Sequence, residues 1–237
     1  MMVRLSAARS KGVMVARRGR PVPSRPVERK TVQDRVYRQL VGMILDGEIE
    51  PGRTVTITAL AEAFGVSTMP VREAMHRLTA AKALTVVASR SLGVPPLTAE
   101  RLLALTRVRV EVESLAVAWA APSVNAAMLA RLDALMERMA RCRAAGDKKT
   151  YLPANRAFHF MVYEASGSAV LLAIIETLWL QIGPYFSLLR PDNWQISNRQ
   201  HRAVRDALAR GDGEAAGAAL RVDIEKTADD LDRVLKA

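Results

Sequence analysis

The chain has 237 residues, half of them hydrophobic, and a formal net charge of +11. Enough apolar surface can be buried to exclude a fully disordered chain, and the excess charge points to a polyanionic partner, nucleic acid or an acidic membrane surface. A single cysteine, Cys142, excludes an intramolecular disulfide framework and fits a reducing, cytoplasmic setting.

Aromatic residues make up only 5% of the chain, which argues against base stacking of the kind single-strand binders use. No continuous apolar run approaches the ~18 residues of a membrane helix, so no membrane partner is expected. Ala, Leu, Arg and Glu dominate, and these favour helix. The charge is uneven. Residues 1–30 carry nine Lys and Arg against Glu28 alone, a net +8, together with Pro21, Pro23 and Pro26. They read as a disordered basic tail. A phosphate-contacting arm, a targeting peptide, a solvated tail and a gene start placed ahead of Met14 all fit that composition. A secretory signal does not, because no apolar stretch follows the first charges.

Residues 31–95 form the first domain and are nearly neutral, at +1. Val32, Val36, Tyr37, Leu40, Val41, Ile44 and Leu45 recur at helical steps after Thr31, and Gly47 stops that helix. Pro51-Gly52 is a turn. Thr58 is expected to cap a short helix whose Leu60, Ala61 and Phe64 face inward. Gly65-Val66 turns the chain sharply, and Ser67 caps a helix from Thr68 to about Ala81 with Pro70 in its first turn. Val71, Ala74, Met75 and Leu78 are its apolar stripe. Thr68, Met69, Arg72, Glu73 and His76 point outward. Two short strands, from Leu84 and ending at Gly93-Val94, flank Ser89-Arg90-Ser91. This order predicts a winged helix-turn-helix with a two-stranded wing, whose second helix enters the major groove of double-stranded DNA. Thr58, Ser67, Thr68, Met69, Arg72 and Arg90 are the candidate DNA contacts, the hydroxyls suiting phosphate. Arg72 lies one turn into the helix, and Arg90 sits at the wing tip near the minor groove. The competing readings are an intrahelical ion pair for Arg72 and a solvated turn charge for Arg90. His76 reads as a helix-surface residue.

Residues 37–94 resemble the GntR family of bacterial transcription regulators. Ile44-Leu45-Asp46-Gly47, Pro51-Gly52, Leu60-Ala61 and, above all, Gly65-Val66-Ser67-x-x-Pro70-Val71-Arg72-Glu73-Ala74 carry the resemblance. It implies operator binding. The family often has Arg after the Ser, where this chain has Thr68 followed by Met69, and Gly at the wing tip, where it has Ser91. Those departures bear on which operator is read. Met69 can replace part of a lost contact by touching a thymine methyl.

Pro95-Pro96 marks a hinge into the second domain, residues 96–237. Helices are expected over about 98–121, 124–145, 151–166, 169–190, 193–210 and 212–236, parted by Pro122-Ser123, Gly146-Asp147, Gly167-Ser168, Pro191-Asp192 and Gly211-Asp212. Leu102, Leu105, Val108, Val112, Leu115 and Trp119 form one apolar stripe, which suits core or dimer packing. The fold class is therefore mainly all-α: a winged helix-turn-helix followed by an antiparallel helical bundle. Asn155 and His159 share a helix face. His201 and Asp223 lie ~15 and ~18 Å from the Gly211 turn at 1.5 Å per residue, so antiparallel helices bring them to one level. Two imidazoles, a carboxylate and an amide converging in a bundle can hold a divalent cation.

The second domain resembles the FCD effector-binding domain of the FadR subfamily, through Arg109-x-x-x-Glu113, Phe158-His159, His201 and Gly211-Asp212 with the helix that follows. Metal-binding members typically use an Asp four residues before the first His, that His, and two further His. This chain has Asn155 at the first position and, by alignment across Gly211-Asp212, Asp223 at the last. The resemblance implies a metal of the Zn, Ni or Mn class on Asn155, His159, His201 and Asp223, a homodimer, and a small organic acid or sugar acid as effector. Arg109 is the candidate effector contact, since a guanidinium pairs bidentately with carboxylate; a structural salt bridge is its alternative. The function so read is a ligand-responsive regulator, with repression the commoner outcome, and not an enzyme. The rivals are a sequence-tolerant architectural DNA binder driven by the tail, and an α-helical metalloenzyme with a DNA-binding head.

Overall fold

The computed structural model describes residues 32–88 and 91–236. The basic tail, the start of the first helix at Thr31, and Ser89-Arg90 lie outside the described residues, so Arg90 receives no structural account. Helix α1 (Val32–Leu45) buries Val36, Leu40 and Ile44, spaced four apart, on one face. Gly47 then takes a φ of +75°, which a side chain would resist.

The wing differs from its expected form. It has three strands, because β1 (Thr54–Thr56) pairs antiparallel with β3 (Ser91–Gly93), which also pairs with β2 (Thr85–Ala88). Thr54-Val55-Thr56 is too short to show a period and runs directly into α2 (Ile57–Phe64), which hid it in the sequence. The cap of α2 is Thr56 rather than Thr58: Ala59 donates its backbone N–H to the Thr56 hydroxyl. Gly65, at φ 62°, closes α2 in the left-handed region and opens the turn into α3 (Thr68–Ala80). Pro70, Val71, Ala74, Met75 and Leu78 are the buried side of α3.

The bundle comprises α4 (Ala99–Ala120), α5 (Ala126–Ala145), α6 (Lys148–Ala165), α7 (Ala169–Ile182), α8 (Pro191–Ala209) and α9 (Gly213–Lys236). Thr98, Asn125, Asp147 and Ser168 cap four of them, each accepting a backbone N–H. Because Asp147 caps, α6 starts three residues earlier than expected. The stretch expected as one helix over 169–190 is two pieces, since Pro184 has no N–H to continue α7, and a 3-10 segment, Gly183–Leu188, follows. Ala169–Leu188 is long and apolar enough to span a membrane by length and composition, contrary to the sequence reading. Here Leu171, Ile175, Trp179, Leu180 and Ile182 are instead buried among their neighbours. Helix α9 packs along both α4 and α8, and α5 packs on α6 and α8. Gly213 permits the closest approach: a Cβ there would sit 2.6 Å from the Ala118 carbonyl oxygen.

The head is docked on the bundle through the 3-10 segment and α6. Arg156 pairs with Asp46 at 3.2 Å. The Tyr185 hydroxyl donates to the Pro95 carbonyl at the hinge. A Cβ on Gly47 would lie 3.0 Å from that of Ser187. Arg101 reaches back to the Lys82 carbonyl at 3.1 Å.

Candidate functional site

The turn between α2 and α3 presents Ser67, Thr68, Met69 and Arg72 together on an exposed surface. Ser67 holds the cap position with extended backbone, but its side chain makes no cap bond and stays available to a phosphate. Met69 is 60% exposed at the helix start, an unusual place for a large apolar side chain unless it meets a partner. Arg72 is exposed and has no ion pair among the described residues, which removes the intrahelical-pair reading. Arg77, one turn on, is instead held by Asp34 at 3.4 Å and lies over the Tyr37 ring. Thr58 is exposed in the first turn of α2.

The second cluster lies inside the bundle. His159 from α6, His201 from α8 and Asp223 from α9 are all buried, and their ligand atoms lie within 4.8 Å of one another. His159 Nε2 is 3.1 Å from His201 Nε2. Asp223 Oδ2 is 3.6 Å from the first and 3.7 Å from the second. The point equidistant from these three atoms is about 2.0 Å from each, within the ~2.0–2.2 Å of zinc bonds to His and carboxylate. The antiparallel α8–α9 pairing puts His201 and Asp223 at one level. Asn155, buried one turn before His159, lines the same cavity but is outside the close triad.

Burial determines the protonation of all three. It holds His201 down at about 3, and holds His159 well below the usual histidine range with help from His201 and Arg109. Both rings are therefore neutral at pH 7, and their contacts with Asp223 are not ion pairs. Burial pushes Asp223 up to about 7, against the hydrogen bond it accepts from the Ser197 hydroxyl at 2.8 Å and the pull of Arg109. His201 Nδ1 is buried without a hydrogen-bond partner among the described residues. Two neutral imidazole nitrogens 3.1 Å apart can satisfy each other only through one shared hydrogen, whereas a cation takes a lone pair from both. The donor set thus fits a divalent ion with two imidazoles, one carboxylate and open positions.

The cavity beside the triad has a volume of about 30 Å³ and walls of Trp179, Phe186, Tyr151 and Trp194. Tyr151 and Trp194 stack with centroids 4.2 Å apart. Arg109 also borders the cavity, but its Nε and Nη2 are committed to the Glu113 carboxylate at 2.6 and 3.2 Å. Burial opposes the guanidinium charge, yet Glu113 outweighs it and holds the arginine above its ordinary range. The salt-bridge alternative for Arg109 is therefore realised, while its edge still faces the cavity. Sequence reasoning did not single out Ser197, Tyr163, Trp179 or Trp194. Ser197 and Tyr163 had a usable signal, since each lies four residues from a histidine and so on its helix face.

An exposed helix at the front of a three-stranded winged head, joined to a helical bundle with a buried cavity, is the architecture of a winged helix-turn-helix protein with a helical C-terminal domain. Residues 32–94 match the gntR family of bacterial regulatory proteins, and residues 104–226 match the FCD domain. The FCD match covers just over half of the chain, and the chain belongs to the FCD-containing, FadR-like branch of the GntR transcription regulators. It is similar to the HTH-type transcriptional regulator McbR of Escherichia coli, at 35% identity over 58% of this chain and 62% of that protein. The solved structure of E. coli McbR covers 86% of this chain and 98% of its own, with a TM-score of 0.79. A protein of Paenarthrobacter nicotinovorans named a probable D-xylose utilization operon transcriptional repressor is 27% identical over 83% of this chain and 87% of its own length. A transcriptional regulator structure from Rhodococcus sp. RHA1 superposes with a TM-score of 0.70 at 25% identity, over 86% of this chain and 98% of that one. These relatives are transcription regulators, not enzymes.

Proposed function

We propose that the chain is a homodimeric cytoplasmic repressor whose bundle holds a divalent cation of the Zn, Ni or Mn class and senses a small organic acid or sugar acid. The observation that carries this reading is the spacing of His159, His201 and Asp223, which suits three bonds to one ion. The cation supplies a concentrated positive charge with open positions to which a carboxylate can bind. With Arg109 committed to Glu113, the carboxylate is assigned to those open positions rather than to a free guanidinium.

A cavity of about 30 Å³ holds an ion with a water or two, so a larger ligand must displace part of the wall. That wall is suited to carry a signal. Phe186 faces the cavity, while its neighbours Tyr185 and Ser187 meet Pro95 and Gly47 of the head. A ligand that prefers one position of the Gly183–Leu188 segment biases the head by its differential affinity for the two arrangements. Dimerisation is supported by an apolar face exposed on α4 (Val108, Leu115, Trp119) and the adjacent α7 (Val170, Ile174). Two heads related by a twofold axis would read a pseudo-palindromic operator. Repression is supported by the printed name of the D-xylose relative.

Thermal-shift titration of the full chain tests the reading. Zn²⁺ is expected to raise Tm, and a panel of small carboxylates and sugar acids to raise it further only when metal is present. Specific operator binding should survive deletion of residues 1–30. Loss of that binding, together with affinity that collapses in salt, would favour the architectural reading.

A further inference from the structure

We propose that Tyr163 is a positioning residue that fixes the hydrogen of His159 on Nδ1, so that its Nε2 lone pair faces the triad before any ion arrives. The proposal rests on the cation reading above and concerns only how this chain prepares its ligand.

The argument starts at Glu113, which is fully buried on α4 and serves only as an acceptor. Arg109 donates to it twice, Trp179 Nε1 donates at 3.0 Å, and the Tyr163 hydroxyl donates at 2.5 Å. The last distance is that of an O–H···O⁻ bond (~2.5–2.7 Å), the strong charge-assisted kind. A phenol has one hydrogen, and here it is used on Glu113. The Tyr163 oxygen therefore has only lone pairs to offer His159 Nδ1, 3.1 Å away. That contact requires the hydrogen on Nδ1. A neutral imidazole carries only one, so Nε2 is left with its lone pair, aimed at His201 and Asp223. Arg109 holds the Glu113 carboxylate in place through two bonds, Glu113 orients Tyr163, and Tyr163 sets the ring.

The two histidines are therefore unequal. His201 has no partner on Nδ1 among the described residues, and its Nε2 meets Ser197 at 3.3 Å. The same reasoning puts the hydrogen of His201 on Nε2, because the Ser197 hydroxyl spends its own on Asp223 and His159 Nε2 offers a lone pair, so His201 must move that hydrogen to Nδ1 when an ion binds. The Arg109-x-x-x-Glu113 pair, read from sequence as an effector contact or a structural bridge, becomes the far end of a chain that prepares a metal ligand.

The test uses the full-length chain, Tyr163→Phe, and, as a control for lost stability, Leu78→Ala in the buried face of α3 away from the cavity. Imidazole ¹⁵N spectra of the metal-free wild type should show His159 as the Nδ1–H form, and Tyr163→Phe should release it into a mixture of forms. Zn²⁺ or Co²⁺ affinity should fall about 10–100-fold in Tyr163→Phe and change less than about threefold in Leu78→Ala, even though both variants lose stability. A wild-type His159 carrying its hydrogen on Nε2 overturns the proposal without any variant, and so does wild-type metal affinity in Tyr163→Phe. If the wild type takes up no ion, the cation reading fails, and the spectra still decide whether Tyr163 sets the ring.

Discussion

Removing both members of the buried Arg109–Glu113 pair should cost clearly less than the sum of removing each alone. Glu113 is 0% exposed and Arg109 4% exposed, and the two share a bidentate bond at 2.6 and 3.2 Å. In Glu113→Gln the new amide oxygen can still accept from Tyr163 and Trp179, but the guanidinium loses its counter-charge. In Arg109→Met the carboxylate is stranded instead. A buried ion left unpaired costs about 3–5 kcal/mol. At ~2–4 °C per kcal/mol for a domain of this size, each single variant should melt roughly 6–20 °C below wild type. The double variant buries neither charge, so its loss should fall short of the sum by at least ~2 kcal/mol. Urea unfolding of all four proteins in chelator measures this directly. Additive losses, within about 0.5 kcal/mol, would show that the two side chains do not act as one unit and would remove the anchor of the Tyr163 chain.

Other outcomes follow from the same geometry. Arg72→Ala should weaken operator binding by about 1–3 kcal/mol in fluorescence anisotropy while leaving Tm unchanged, because Arg72 is exposed and unpaired among the described residues; wild-type affinity would mean that α3 is not the reading helix. Metal uptake at pH 6 should release about one proton per ion, falling toward none at pH 8. Burial raises Asp223 to about 7, so it is protonated at the lower pH and ionised at the higher one, while His201, at about 3, and His159, also lowered, are already neutral at both. Calorimetry in buffers of different ionisation enthalpy counts those protons; two or three at pH 6 would show that the histidines are not held neutral. Trp119→Glu places a charge on the half-exposed α4 face, where Trp119 is 51% exposed, and should turn a dimer into a monomer by sedimentation with little change in helix content.

Much of the architecture was legible because its signals are local. Gly65, Pro70 and the stripe Val71, Ala74, Met75 and Leu78 fix the turn and α3 from sequence alone, and the capping residues of the bundle set most helix ends within a few positions. The convergence of His201 and Asp223 followed from rise per residue and a single turn at Gly211. What could not be read is what depends on partners distant in sequence. β1 exists only because Val55 lies opposite Leu92. The stripe on α4 looked uniform, yet Leu102 and Leu105 are buried whereas Val108, Leu115 and Trp119 are not, since α9 covers only part of the helix. Arg109 looked free for a ligand, because its i, i+4 partner is visible in sequence but the burial that commits one to the other is not. The roles of Tyr163 and Trp179 arise where α6 and α7 meet α4, and no spacing within one helix reveals that junction.

The central claim is that His159, His201 and Asp223 act together on one ion. Metal content of the chain purified without chelator, measured by mass spectrometry beside His159→Ala and Asp223→Ala, tests it most directly. The account predicts one Zn, Ni or Mn ion per wild-type chain and little in either variant. A wild-type chain without stoichiometric metal, or variants that retain it, would contradict the account.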